Sequence, residues 1–386
     1  MSRLIATTVF LLFILAGLTA AQDRATFTVG TATAARGQKA TGTIEVPAGS
    51  DAALSIPVAV FHGAKPGPVL AIVAGSHGTE YTSIIALEKL ITTLNPAEIS
   101  GTVIIVPLIN IQSFEQKVPH LNPVDKKSMN RWYPGKMDGT QTDRASYLIT
   151  KQVVEQCDHL IDLHGGDLDE SLRPYSYWTK TGNEKQDQIS KEMVLAFGLD
   201  HIIISADRPK DSQASRYLEN TATTRGKPSI TAEAGYAGTV ETDDLNALVN
   251  GCLGVMRYLK MLPGAPAVIE HPVWIEKVVT IASEQTGMFY PLVKRGMVCR
   301  AGNESWLRHG LSRQSDLRSP RPGSWGCALR LRRAVDDEGR DDCQHRRGGA
   351  IEVPLSRASL SFQNSGTLTQ TPIQCGGFSA TCSFPP

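Results

Sequence analysis

The sequence predicts an α/β fold: a mixed, largely parallel doubly wound sheet followed by a small β domain. Two observations carry this. Five short runs rich in Ile and Val, "VLAIVAG", "GTVIIVPLIN", "DHLIDLHGG", "HIIISA" and "PSITAEAG", are nearly all apolar, as strands covered on both faces tend to be. Between them lie longer runs with helical spacing, which is the rhythm of strand and crossover helix.

Taken in order, the chain opens on Arg3, the apolar run "LIATTVFLLFILAGL" and small residues through Ala20 and Ala21. That pattern reads as a signal peptide over residues 1–21, so the mature protein is expected to be secreted or periplasmic. No later stretch approaches the roughly 20 apolar residues of a membrane span. Residues 22–66 alternate like strands ("FTVGTATA", "TGTIEVPA", "LSIPVAVFHG") and form an N-terminal β segment. A catalytic domain is expected over residues 67–264, with helices at "TEYTSIIALEKLITTL", "TDRASYLITKQVVEQC", "EKQDQISKEMVLAFGL" and "VETDDLNALVNGCLGVMRYLKML". Thr or acidic residues near their starts suit helix N-termini. Residues 265–298 read as the start of a C-terminal β domain.

Near residue 299 the composition breaks. From Arg300 onward there are twelve arginines and no lysine, and five of the seven cysteines lie at or beyond Cys299. A disordered basic tail would look like this. A frameshift is the reading preferred here for residues 299–386, because a one-nucleotide shift of allowed codons for Gly326 to Gly349 can restore strand-like alternation.

The formal net charge of +1 supplies no basic field for nucleic acid, so none is expected as a partner. Before the break only Cys157 and Cys252 occur, with no metal-like spacing and no disulfide framework.

Ligands of open α/β sheets bind beyond the carboxyl ends of the strands. His77 and Glu80, in "GSHGTE", stand where the first covered strand ends; His164 ends "HLIDLH" and Glu233 ends "SITAE". Two histidines and a carboxylate are the usual ligand set of a catalytic zinc, with a position left for water. Gly75, Gly78, Gly165 and Gly166 allow tight turns around them. Asp162, two residues before His164, can orient its imidazole. Glu233 would act as general base. Asn130 and Arg131, in the polar segment "NPVDKKSMNRWYPG", suit a carboxylate or a developing oxyanion. Each residue also has a plain alternative: ordinary strand-end or loop side chains with no metal, a structural hydrogen bond for Asp162, a solvated arginine for Arg131.

In their order and spacing, "GSHGTE", "NPVDKKSMNRWYPG", "IDLHGG" and "ITAEAG" resemble the succinylglutamate desuccinylase/aspartoacylase family, within the zinc carboxypeptidase-like fold. The resemblance spans about Val69 to Val298, down to "EKVVTIASEQTGMFYPLVKRG" at the start of the family's β domain. It implies one zinc per chain on His77, Glu80 and His164, Glu233 as the catalytic glutamate, and Asn130 with Arg131 as the substrate-binding pair. It implies hydrolysis of an amide-type acyl bond in a small N-acyl amino acid or peptide, with Arg131 holding a carboxylate or the oxyanion. Where family members often carry an arginine ahead of the polar segment, this chain has His120. Arg173, Tyr175 and Tyr236 are further expected pocket residues, against the plainer role of loop packing. Two other readings stay open, an inert or metal-free carbohydrate- or peptide-binding homologue and an esterase using the same zinc site. A serine or thiol mechanism finds no GxSxG elbow and no paired cysteine.

Overall fold

The computed structural model describes residues 24–205, 207, 209–280 and 288–298, and the backbone of two further short strands at 306–309 and 316–318. The expected signal peptide and most of the compositional tail lie outside the described residues. Among those described, no helix is long and apolar enough to cross a membrane.

The N-terminal alternation becomes β1 (Thr26–Val29) and β2 (Ala32–Ala35), a small antiparallel hairpin, then β3 (Gln38–Val46) and β4 (Leu54–His62). Next come β5 (Lys65–Val73), α1 (Tyr81–Thr93), β6 (Ser100–Val106), α2 (Ile111–Gln116) and α3 (Gln141–Ile149). The predicted helix from Thr142 to Cys157 is therefore shorter, its second half being a wider turn over Thr150–Val154. Then follow β7 (His159–His164), β8 (Ser171–Thr179), α4 (Glu184–Phe197), β9 (His201–Ser205), α5 (Leu218–Thr223), β10 (Ser229–Tyr236) and α6 (Thr242–Tyr258). Three elements, α2, β8 and α5, go beyond the sequence reading.

Nine strands form one mixed sheet in the order β11-β9-β8-β10-β7-β5-β6-β4-β3, with β11 at Val273–Ile275. The central strands β6, β5, β7 and β10 run parallel, while β8 is antiparallel to β10. This is the mixed, largely parallel doubly wound sheet expected. Val273–Ile275, read from sequence with the C-terminal segment, instead pairs parallel with β9 at the sheet edge. A separate antiparallel sheet joins β12 (Met288–Pro291), β13 (Trp306–His309) and β14 (Asp316–Arg318), reaching past the compositional break.

The apolar runs are explained by two cores on opposite faces. In β5 and the residue after it, Leu70, Ile72 and Ala74 enter a core shared with α1, α4 and α6, while Ala71 and Val73 enter a second one shared with α3 and α5. Each buried aliphatic side chain stabilises the fold by about 1.5–3 kcal/mol relative to exposure, and burial on both faces makes a charge inside such a strand costly. The exceptions, Asp162 inside β7 and Glu233 inside β10, both lie beside the histidine that ends β7.

Candidate active site

The turn after β5 is shaped by two glycines. Gly75 takes a left-handed φ of 68°, a conformation that costs other L residues. Gly78 lies so close to α2 that a Cβ there would sit 2.4 Å from Phe114 N and 2.5 Å from Asn110 O, both backbone atoms. The approach is fixed from the other side, since Gly78 N donates to Ser113 Oγ at 2.9 Å and the Asn110 side chain caps α2 by accepting from Ser113 N. The result sets His77 in the turn and Glu80 at the N-terminal cap of α1, where the helix dipole favours a carboxylate.

His164 arrives from the end of β7, next but one to its own second carboxylate, Asp162. Glu80 lies between the imidazoles: Oε1 is 2.7 Å from His77 Nδ1 and Oε2 is 2.9 Å from His164 Nδ1. Gly165 N also donates to Oε2. All three side chains are buried, and one ligand atom from each lies within 4.8 Å of the others.

Burial alone would raise Glu80, but the two imidazoles and their hydrogen bonds outweigh it and hold the carboxyl well below its usual range. Burial lowers His77, opposed by Glu80. For His164 burial acts in the same sense, yet Asp162 and Glu80 overcome it and raise this imidazole well above its ordinary value.

This donor set fits zinc. Two imidazoles and a carboxylate are the ligand chemistry of a catalytic site, and Asp162 supplies an independent sign. Its carboxylate is fully buried and neither oxygen meets a well-aligned donor, although His164 Nε2 lies 3.3 Å from Oδ1. A buried carboxylate beside a ligand imidazole is the kind of partner that orients such a ring.

Glu233, expected from sequence at a strand end, lies inside β10, which continues to Tyr236; it sits directly beside His164 in the parallel register of β7 and opposite Tyr175 in the antiparallel register of β8. Tyr175 donates its phenol to Glu233 Oε2 at 2.6 Å. Asn130 reaches the site from the polar segment, with Nδ2 3.1 Å from His164 Nε2, while its Oδ1 accepts from Leu218 N at the start of α5. Arg131 donates to its own neighbour's carbonyl, Asn130 O, and its guanidinium stacks 4.6 Å from the Tyr217 ring centroid. A concavity of about 180 Å³ lined by Asp207, Pro209, Ala214, Arg216, Tyr217 and Asn220 opens beside that stack. A larger one, about 470 Å³, includes Lys65 at the opposite end of β5 and contains none of these groups.

The remaining sequence-predicted residues are placed differently. His120 is next to the cluster, its ring 5.7 Å from that of His77, but both nitrogens face carboxylates: Nδ1 lies 3.2 Å from Asp167 and Nε2 2.9 Å from Asp169. Burial opposes protonation of His120, and the hydrogen bond to Asp169 with the charges of Asp167, Asp169 and Glu170 more than offsets it, raising its pKa. Arg173 turns to Asp200 and His201 on the β9 side, at 2.6 and 3.1 Å. Tyr236 is 44 % exposed at the rim, under the Arg295 guanidinium. Tyr217 and Asp167 are positions that sequence reasoning passed over. Asp167 had a signal, following "HGG" directly; Tyr217 had none, since its partner Arg131 is 86 residues away in the chain.

Residues 66–259 match the family model for the succinylglutamate desuccinylase/aspartoacylase catalytic domain. The chain is 29 % identical over 236 residues to an N-alpha-acetyl-L-2,4-diaminobutyric acid deacetylase from Halomonas elongata, covering 60 % of this chain and 67 % of that protein. Among solved structures, it is similar to a succinylglutamate desuccinylase/aspartoacylase from Rhodobacter sphaeroides, with a TM-score of 0.65 and 22 % identity over 76 % of this chain and 92 % of that one. The product-bound ectoine utilization protein EutE (DoeB) from Ruegeria pomeroyi gives a TM-score of 0.64 and 22 % identity over 72 % and 86 % of the two chains. These structural likenesses establish a shared fold.

Proposed function

Because the chain belongs to the succinylglutamate desuccinylase/aspartoacylase family, we propose that it is a zinc hydrolase that cleaves the amide bond of a small N-acyl amino acid or peptide. The observation that carries this reading is the convergence of His77, Glu80 and His164 on one buried point, with Glu233 on the adjoining strand. These three residues would hold one zinc per chain. A zinc held there would supply Lewis acidity toward the scissile carbonyl and the attacking water.

The chain's own groups supply the rest. Glu233 takes a proton from the attacking water as oxygen joins the carbonyl carbon, and returns it to the amine as the C–N bond breaks. Tyr175 fixes the orientation of that carboxylate through its bond to Oε2. Asp162 places a buried negative charge 3.3 Å from the His164 ring, and Asn130 links that ring to the start of α5. Arg131, whose guanidinium lies over the Tyr217 ring, presents a charge suited to a substrate carboxylate. The name of the Halomonas elongata relative makes N-acetyl amino acids the first substrates to try. The N-terminal apolar run supports export as the setting of this activity.

The test is zinc per chain by elemental analysis of the full chain and of H164A, together with amine release from N-acetyl amino acids. About one zinc in the parent, little in H164A, and activity lost to a chelator and regained with zinc are expected. A folded parent with little zinc would overturn the proposal.

A further inference from the structure

The pairing of β8 with β10 is interrupted at the site. Glu233 stands opposite Tyr175, but Gly235 stands opposite Leu172, so Arg173 and Pro174 together face the single residue Ala234. That is a β-bulge, a device that re-aims side chains next to functional sites. Pro174 accounts for it, because it has no N–H to give the ladder and prolines within sheets sit at bulges or edges. The ladder therefore gives way immediately beyond the pair that carries Glu233 and Tyr175.

One side chain spans the gap. Arg295, from the segment after β12, donates through Nη1 to Leu172 O at 3.0 Å and to Gly235 O at 3.2 Å, which are the two residues that resume the pairing. The same nitrogen lies 2.7 Å from Oδ2 of Asp244, a buried carboxylate in the first turn of α6. Its guanidinium carbon sits 5.5 Å from the Tyr236 ring centroid. A cation from outside the nine-stranded sheet thus ties the two flanks of the bulge together through two carbonyls, two residues from Glu233, and is itself held by Asp244 of α6.

We propose that Arg295 is a positioning residue: by clamping the β8–β10 bulge it holds the Glu233 and Tyr175 backbones in register, and so makes the efficiency of the reaction depend on the segment that follows the catalytic domain. The proposal rests on Glu233 being the general base. It predicts a defect in the chemical step, with metal and substrate binding left intact.

The experiment compares R295M, R295K, D244N and E233Q in the full chain, by steady-state kinetics on an N-acetyl amino acid, zinc content and thermal melting. R295M keeps an unbranched stem but has no donor; kcat should fall at least tenfold, with KM and zinc per chain within twofold of the parent. An ammonium has three N–H bonds for the same three oxygens, so R295K should recover most of kcat. D244N keeps the carbonyl contacts and should lower the melting temperature while leaving kcat within threefold. Unchanged kcat in R295M, or equal losses in R295M and D244N that follow melting temperature, would overturn the clamp and show a structural tie only. Substantial activity in E233Q would instead overturn the general-base reading, and the clamp with it.

Discussion

Tyr175 and Glu233 face each other on antiparallel strands, joined by a 2.6 Å hydrogen bond from the phenol to Oε2. A hydrogen bond to a charged group contributes roughly 1.5–3 kcal/mol. Y175F should accordingly lower kcat by about ten- to a hundredfold if that energy is expressed in the transition state. Zinc content should change little, because Tyr175 is not one of the three ligands. Kinetics of Y175F beside its zinc content check both halves of the statement.

Gly78 tests how the ligand turn is built. In G78A the new methyl would meet backbone atoms Phe114 N and Asn110 O at 2.4 and 2.5 Å, so the turn or α2 must shift. Since His77 is the preceding residue, the expected outcome is loss of zinc affinity by a factor of ten or more with the sheet still folded. Metal-competition titration together with circular dichroism would show it. Unchanged affinity in G78A would mean that the turn has more freedom than its contacts imply.

Zinc should also stabilise the chain, because a ligand bound only by the native state adds RT ln(1 + [L]/Kd), about 4 kcal/mol at a thousandfold excess over Kd. Chelation should lower the melting temperature of the parent and leave that of H164A nearly unchanged. Calorimetric scans with and without chelator make the comparison.

His159 gives a pH dependence away from the metal site. Burial, aided by Lys227 and opposed by Asp158, lowers this imidazole from its ordinary value near 6.5. The folded state therefore binds its proton less readily than the unfolded state. The contribution to stability is fully present above about pH 6.5 and is lost as pH falls toward the depressed folded-state value. H159Q should flatten the fall in stability between pH 6.5 and 5 without altering activity at neutral pH. Urea unfolding at several pH values would show an unchanged slope if another group is responsible.

The sequence by itself determined most of the strands and helices, and which polar residues interrupt or follow the apolar runs. Runs such as Leu70 to Val73 can be legible in this way because a strand buried on both faces has no alternative composition, and that constraint is local. His77, Glu80, His164 and Glu233 were visible for the same reason, as polar residues where such runs stop. Strand β8 escaped because Pro174 and the polar side chains of "SLRPYSYWT" lack the apolar pattern; the bulge that accommodates the proline exists only against β10. Sheet order was decided by the tertiary structure: it inserts β8 next to β10 and makes it antiparallel, which is what brings Tyr175 to Glu233. Tertiary structure likewise turned Arg173 to Asp200, engaged both nitrogens of His120 with carboxylates, and brought Arg295 to the bulge from 60 residues beyond Gly235. Hydrophobic periodicity reports burial along one element, whereas hydrogen bonds between distant side chains depend on how elements are ordered in space, and no local pattern encodes that order.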